Sequence, residues 1–181
     1  MSEVIRCRGS KVCSPFVDPS GAGICYVSAG TGEVFRWQSP DTHTPGVLVK
    51  TYEERALRGP NGLAFAADGS LFFSDSGPLG ETTLERPQGS VYCIAPSPSG
   101  GQVLRPLALE CLAHPWGVAV STCPDAVYVA ETMRNRVLRL RARPNNAYHV
   151  SVFYQFAGGL GPSCIACDLS GTIYVGHYDF A

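Results

Sequence analysis

The chain has 181 residues, 45% hydrophobic and only 16% charged, with 20 glycines and 14 prolines. That mixture suits many short strands joined by tight turns and argues against a helical bundle. Fourteen Lys and Arg against fifteen Asp and Glu leave a net charge of −1, so no electrostatic case exists for nucleic acid or an acidic membrane surface.

No apolar run approaches the ~18 residues of a membrane span. The stretch from Met1 to Ser14 carries no apolar segment of the kind a secretion signal needs. These readings set the expectation of a soluble, cytoplasmic protein. Residues 1–11 are expected to be a lead-in and residues 12–181 one domain.

From residue 12 onward one pattern recurs: a proline, a small apolar run, a polar or glycine turn, then an aromatic-rich strand. The first copy runs from Pro15 through Asp18-Pro19-Ser20-Gly21 to Ile24-Cys25-Tyr26-Val27. The second is Pro60-Asn61-Gly62-Leu63-Ala64-Phe65, then Asp68-Gly69, then Leu71-Phe72-Phe73-Ser74-Asp75. The third is Pro115-Trp116-Gly117-Val118-Ala119-Val120, then Pro124-Asp125, then Val127-Tyr128-Val129-Ala130-Glu131. The fourth is Pro162-Ser163-Cys164-Ile165-Ala166-Cys167, then Ser170-Gly171, then Ile173-Tyr174-Val175-Gly176-His177.

The four prolines lie 45, 55 and 47 residues apart. Third strands follow at Glu33–Trp37, Ser90–Ile94 and Arg136–Leu140, and outer strands are expected near Val47–Val49 and Val103–Leu104. A period of about 40–50 residues with several strands each is that of a β-propeller blade. A β-sandwich with similar turns is the competing architecture. In a blade the first strand lines the axis and should be small and apolar, as Gly62-Leu63-Ala64 and Gly117-Val118-Ala119 are. Asp68-Gly69 and Ser170-Gly171 supply the positive φ of a tight turn.

These segments resemble the SMP-30/gluconolactonase/luciferin-regenerating-enzyme family. Pro60–Ile94 is similar to its second blade, His114–Leu140 to its third, Gly161–Phe180 to its fourth and Pro15–Trp37 to its first. The third also resembles a strictosidine synthase-like blade. That family's catalytic acid would sit in a late blade that this chain lacks.

The resemblance implies an all-β, six-bladed propeller of which about four blades are present. A full ring needs about 270 residues. The chain is therefore expected to be a fragment of a longer product, or to associate with a second copy through its open edges.

The family resemblance also implies hydrolysis of lactones or related esters with calcium or another divalent cation at the channel mouth. The implied ligands follow the proline that opens each inner strand, with a Glu before the first. Asn61 matches. Trp116 stands where an Asn is expected, Ser163 where an Asp is expected, and Cys13-Ser14 where the Glu is expected. The expectation is a degenerate metal site, with Trp116 and Ser163 as substrate-binding candidates for a lactone or sugar-like ligand. The alternative is a non-catalytic scaffold that binds a small molecule or a protein at its channel face.

Asp75, Glu131 and His177 close the second strand of three successive repeats. They are candidate catalytic residues at the channel rim, or acceptors for nearby loop amides. His114, just before Pro115, is expected at the surface, with a place lining the mouth as the alternative. The run Arg134, Arg136, Arg139, Arg141, Arg143 reads as a solvated outer strand. The eight cysteines, Cys25, Cys93 and Cys164 among them, read as reduced, buried small hydrophobes.

Overall fold

The computed structural model describes residues 12–19, 21, 23–38, 45–77, 82–97, 99–122, 125–144 and 147–178, with the side chains of Val12 and Cys13 excepted. The lead-in, the turn residues Ser20 and Pro124, and Cys7, Cys123 and Phe180 lie outside the described residues.

Strands form where the sequence is β-branched and aromatic, and short antiparallel connections order them into sheets. The first sheet holds β1 (Val12–Val17), β2 (Ile24–Ser28), β3 (Glu33–Trp37) and β4 (Gly46–Val49). A small hairpin, β5 (Thr51–Tyr52) and β6 (Arg55–Ala56), follows. The second sheet holds β7 (Pro60–Phe65), β8 (Leu71–Asp75), β9 (Gly89–Pro96) and β10 (Gln102–Leu112). The third holds β11 (Pro115–Thr122), β12 (Asp125–Glu131), β13 (Arg136–Ala142) and β14 (Tyr148–Gln155), with a 3-10 turn at Thr132–Arg134. The fourth pairs β15 (Gly161–Cys167) with β16 (Ile173–Tyr178).

Each sheet is a blade, and the first strands β1, β7, β11 and β15 pack side by side in that order. Three complete blades and the inner half of a fourth therefore form an open arc of a propeller. The outer strand β14 and the β5–β6 hairpin had no counterpart in the sequence expectations.

Side-chain alternation assigns each face of a strand to one neighbour. Leu71 and Phe73 of the second blade pack with Cys25, Val27 and Val34 of the first. Phe72, between them in sequence, packs with Val127, Val129 and Leu138 of the third. Tyr128 and Val137 pack with Ile165, Ile173 and Val175 of the fourth. A strand buried on both faces is apolar along its middle, which is why residues 71–73 of β8 and 126–130 of β12 read as apolar runs. The fourth blade has a neighbour on one face only. Its side chains alternate, with Cys164, Ala166 and Tyr174 exposed on the open face. Cys164 is thus solvent-facing, contrary to expectation, whereas Cys25 and Cys93 are buried thiols. Burial pushes the Cys25 thiol up to about 11.

The blades share one irregularity. Pro60 pairs with Asp75 and Leu63 with Phe73, so a bulge lies between. The same bulge follows Pro115, which faces Glu131, and Pro162, which faces His177. In the first blade it lies between Cys13 and Phe16, with Cys13 facing Val27. The first repeat therefore aligns two residues earlier than its Pro15 suggests, and Ser14 holds the slot of Asn61. A proline at the bulge misled the alignment because proline has no N–H to give to a ladder and settles at such irregular points.

Where the bulges turn the inner strands toward each other, side chains do not fit. A methyl group on Gly62 would lie 2.2 Å from the Trp116 carbonyl oxygen, and one on Gly117 would lie 2.9 Å from that of Ser163. Gly100 has φ +88° but open space around it. Gly62→Ala is expected to cost about 2 kcal/mol or more through backbone displacement, against about 1 kcal/mol for Gly100→Ala, where only the left-handed conformation is penalised. Urea midpoints of the two variants would test this ordering, and equal losses would refute it.

Candidate functional site

The slot that opens each bulge holds Ser14, Asn61, Trp116 and Ser163 in successive blades. Because β1, β7, β11 and β15 are neighbours, these four positions follow one another around the axis. Backbone contacts link them. Ser14 Oγ donates to the Asn61 carbonyl at 3.1 Å. Ser74 Oγ accepts from the Gly62 amide at 3.0 Å and donates to the Trp116 carbonyl. Thr132 Oγ1 donates to the Pro162 carbonyl at 2.7 Å. Each blade thus holds the next through a hydroxyl.

The side chains in the slot differ in kind. Asn61 is buried, and its amide nitrogen donates to Ser76 Oγ. Trp116 is half-buried. Its ring lies 5.4 Å from His114, edge-on, and 6.4 Å from Tyr178. Ser163 is half-buried.

His114 departs from expectation: it is 2% exposed, not a surface histidine. It occupies a left-handed conformation (φ 57°), and its Nδ1 has no hydrogen-bond partner among the described residues. Burial of the ring lowers its pKa below the ordinary 6.5.

Asp75, Glu131 and His177 occupy one register position, but each side chain is committed locally. Asp75 accepts from the amides of Arg58 (3.1 Å) and Gly59 (2.7 Å), the segment that leads into its own blade. Burial raises its pKa, and the two amides offset part of that. Glu131 is wholly buried and accepts from the Ala113 amide at 2.8 Å, Arg134 at 3.0 Å and Arg136 at 2.6 Å. His177 Nε2 lies 2.6 Å from Asn135 Oδ1, and its ring rests on Phe156 at 4.7 Å. Arg134 and Arg136 are therefore half-buried partners of a carboxylate rather than part of a wholly solvated run. The three-residue spacing of Glu131 and Arg134 was the available signal for that pairing.

The model of the SMP-30/Gluconolactonase/LRE-like region matches residues 12–180. The chain belongs to this family. A lactonase drp35 of Staphylococcus haemolyticus is 27% identical over 160 residues, covering 85% of this chain and 46% of that protein. A gluconolactonase from Xanthomonas campestris superposes with a TM-score of 0.72 at 26% identity, over 89% of this chain and 54% of that one. A luciferin-regenerating enzyme superposes with a TM-score of 0.61 at 15% identity, over 83% and 50%. This family member thus spans about half the length of the curated relatives it matches.

Calcium takes six to eight oxygens, charged ones among them. In this gluconolactonase-like arc the slot offers one amide, two hydroxyl side chains and an indole. Among the described residues no group of three His, Cys, Asp or Glu is placed to hold a metal ion.

Removing one partner from a buried ionic cluster strands the rest. Glu131→Ala should therefore cost about 3–5 kcal/mol in chemical denaturation, and a loss under 1 kcal/mol would show that the latch is dispensable. His114 predicts a pH dependence. Its folded pKa lies below the unfolded value, so its contribution is complete above about 6.5 and is lost as pH falls through the depressed value. The stability difference between the native chain and His114→Asn should shrink or reverse on acidification below pH 6.5. A difference independent of pH from 7.5 to 5 would contradict this.

Proposed function

We propose that the chain is a lactonase-family propeller whose channel mouth binds a lactone or sugar-like ring without calcium-dependent hydrolysis. One observation carries this reading: Trp116 stands in the slot where the family resemblance calls for an oxygen ligand, its ring set against His114 and Tyr178. An indole cannot ligate a hard cation, but its face can stack on a ring-shaped ligand.

The supporting facts concern the carboxylates. Those nearest the slot, Asp75 and Glu131, already accept from backbone amides and arginines. Recruiting either to a metal would leave those donors unpaired, at about 1–3 kcal/mol each. Asn61 alone, with its amide nitrogen bonded to Ser76, supplies a single neutral oxygen. A hydrolytic step through a resident calcium ion is therefore not part of the proposal.

The test is lactone hydrolysis with calcium, zinc or manganese added, run beside indole fluorescence. The expected result is no metal-stimulated turnover by the native chain or by Asn61→Ala, with fluorescence quenching by gluconolactone that weakens about tenfold in Trp116→Ala. Metal-dependent turnover that vanishes in Asn61→Ala would establish the hydrolase instead.

A further inference from the structure

A blade ends in an outer strand at the rim, and a strand edge without a partner is a template for another strand. β4, β10 and β14 are the outer strands of the three complete blades, and among the described residues each has a ladder partner on one side only. Two of them carry features that discourage further pairing. β4 has only four residues and lies between Pro45 and Lys50. β10 carries Arg105, Pro106 and Glu110, and its register breaks between Pro106 and Ala108 and again between Ala108 and Leu112. Short length, charge, proline and bulges are the devices that blunt an edge.

β14 has almost none of them. Its eight residues, Tyr148–Gln155, include no Asp, Glu, Lys, Arg, Pro or Gly. Tyr154 stands opposite Val137 and Val152 opposite Leu138, so Phe153 is the one extra residue and Tyr148–Val152 runs in regular register. Val152, Val150 and Tyr148 stand opposite Leu138, Leu140 and Ala142 and share their face of the sheet. That is the face that Leu138 and Leu140 bury against the second blade, and Tyr148 packs there too. Val150 and Val152 nonetheless remain 38% and 50% exposed, although the second blade beside them has all four of its strands.

We propose that β14 is a self-association edge, at which the β14 strands of two copies pair antiparallel and join two third blades into one eight-stranded sheet. The occupant follows from the charge pattern. An antiparallel pair centred on Val150 sets Val150 opposite its own counterpart and Tyr148 opposite Val152 on one face, with His149 opposite Ser151 on the other. No like charges meet, and aromatic and β-branched pairs are favourable across strands. The nearby Arg141, opposite His149, and Arg143, whose amide bonds the Ala147 carbonyl, lie at the Tyr148 end of β14. Antiparallel pairing sends the two copies' arginines to opposite ends of the joint. The new ladder continues the existing β13–β14 ladder outward, and its two-fold symmetry is that of the commonest dimers. The joint lies on the rim and uses neither Trp116 nor the open face of the fourth blade. Five regular residues a side make a small interface, so reversible association at roughly 10 μM is expected.

The test is sedimentation velocity of the full chain from about 1 to 200 μM, where a monomer–dimer equilibrium is expected. Val150→Lys sets two ammonium groups against each other at the centre and should weaken association about tenfold or more. Tyr174→Lys, on the open face of the fourth blade, should leave it unchanged. Circular dichroism checks that each variant is folded, and Val152→Lys serves should Val150→Lys fail to fold. In a sample mixing labelled and unlabelled copies, NOEs should connect the Val150 methyls of one copy to those of the other. The proposal is overturned if the native chain stays monomeric throughout the range, if Val150→Lys associates like the native chain, if Tyr174→Lys abolishes the dimer, or if the Val150 methyls show no contact between copies.

Discussion

The whole arc depends on how closely the inner strands approach each other near the axis. The bulge in each blade turns a carbonyl out of its own ladder, and a buried carbonyl without a partner is costly. Here the partner comes from the preceding blade: Ser14 for Asn61, Ser74 for Trp116, Thr132 for Pro162. The glycines belong to the same device. Gly62 and Gly117 admit the neighbouring carbonyl where any side chain would block it. Hydroxyl, carbonyl and glycine therefore form one repeated joint, and the apolar seams farther out close around it.

Those seams explain how the burial pattern changes along the chain. Blades with a neighbour on each face bury both sets of alternate residues, as Phe72 and Phe73 show. The two-stranded fourth blade buries only one set, leaving Tyr174 and Tyr178 more than half exposed. The same crowding decides the fate of the acidic residues at the strand ends. Asp75 and Glu131 sit where the chain enters the inner strand of their own blade, and they accept from the amides of that entry segment. Their carboxylates are thereby tied to backbone amides and, at Glu131, to two arginines as well.

Much of this was legible in the sequence, for a physical reason. A strand buried on both faces leaves a strong apolar signature, so β8 falls at the residues expected of it, and the half-buried β3 does so through its alternating aromatics. The turns at Asp68-Gly69 and Ser170-Gly171 have their left-handed glycines, φ 82° and 87°. What composition could not reveal was register. The extra residue of a bulge shifts everything before it, which hid the equivalence of Ser14 and Asn61. Long-range pairing was equally hidden. The Glu131–Arg136 contact crosses a 3-10 turn, and His177 meets Asn135 from 42 residues away. His114 looked like a surface residue because nothing local reports that a left-handed backbone tucks its ring beneath Trp116.

The slot itself shows why this fold can change its chemistry without losing its shape. At Asn61 and Trp116 the joint takes a backbone carbonyl from the slot, which any residue supplies, whereas Ser14 gives its hydroxyl and the fourth blade offers the Pro162 carbonyl instead. The constrained positions are the neighbours, Gly62 and Gly117 on one side and the hydroxyls Ser74 and Thr132 on the other. An amide at Asn61, an indole at Trp116 and a hydroxyl at Ser163 are thus carried by equivalent strands at little structural cost. Side chains in the slot differ in kind from blade to blade, whereas those one step away are glycines and hydroxyls that the close approach of the inner strands uses. A propeller built this way keeps its architecture while the slot side chains vary, because most of its joints are made by backbone carbonyls and by residues outside the slot.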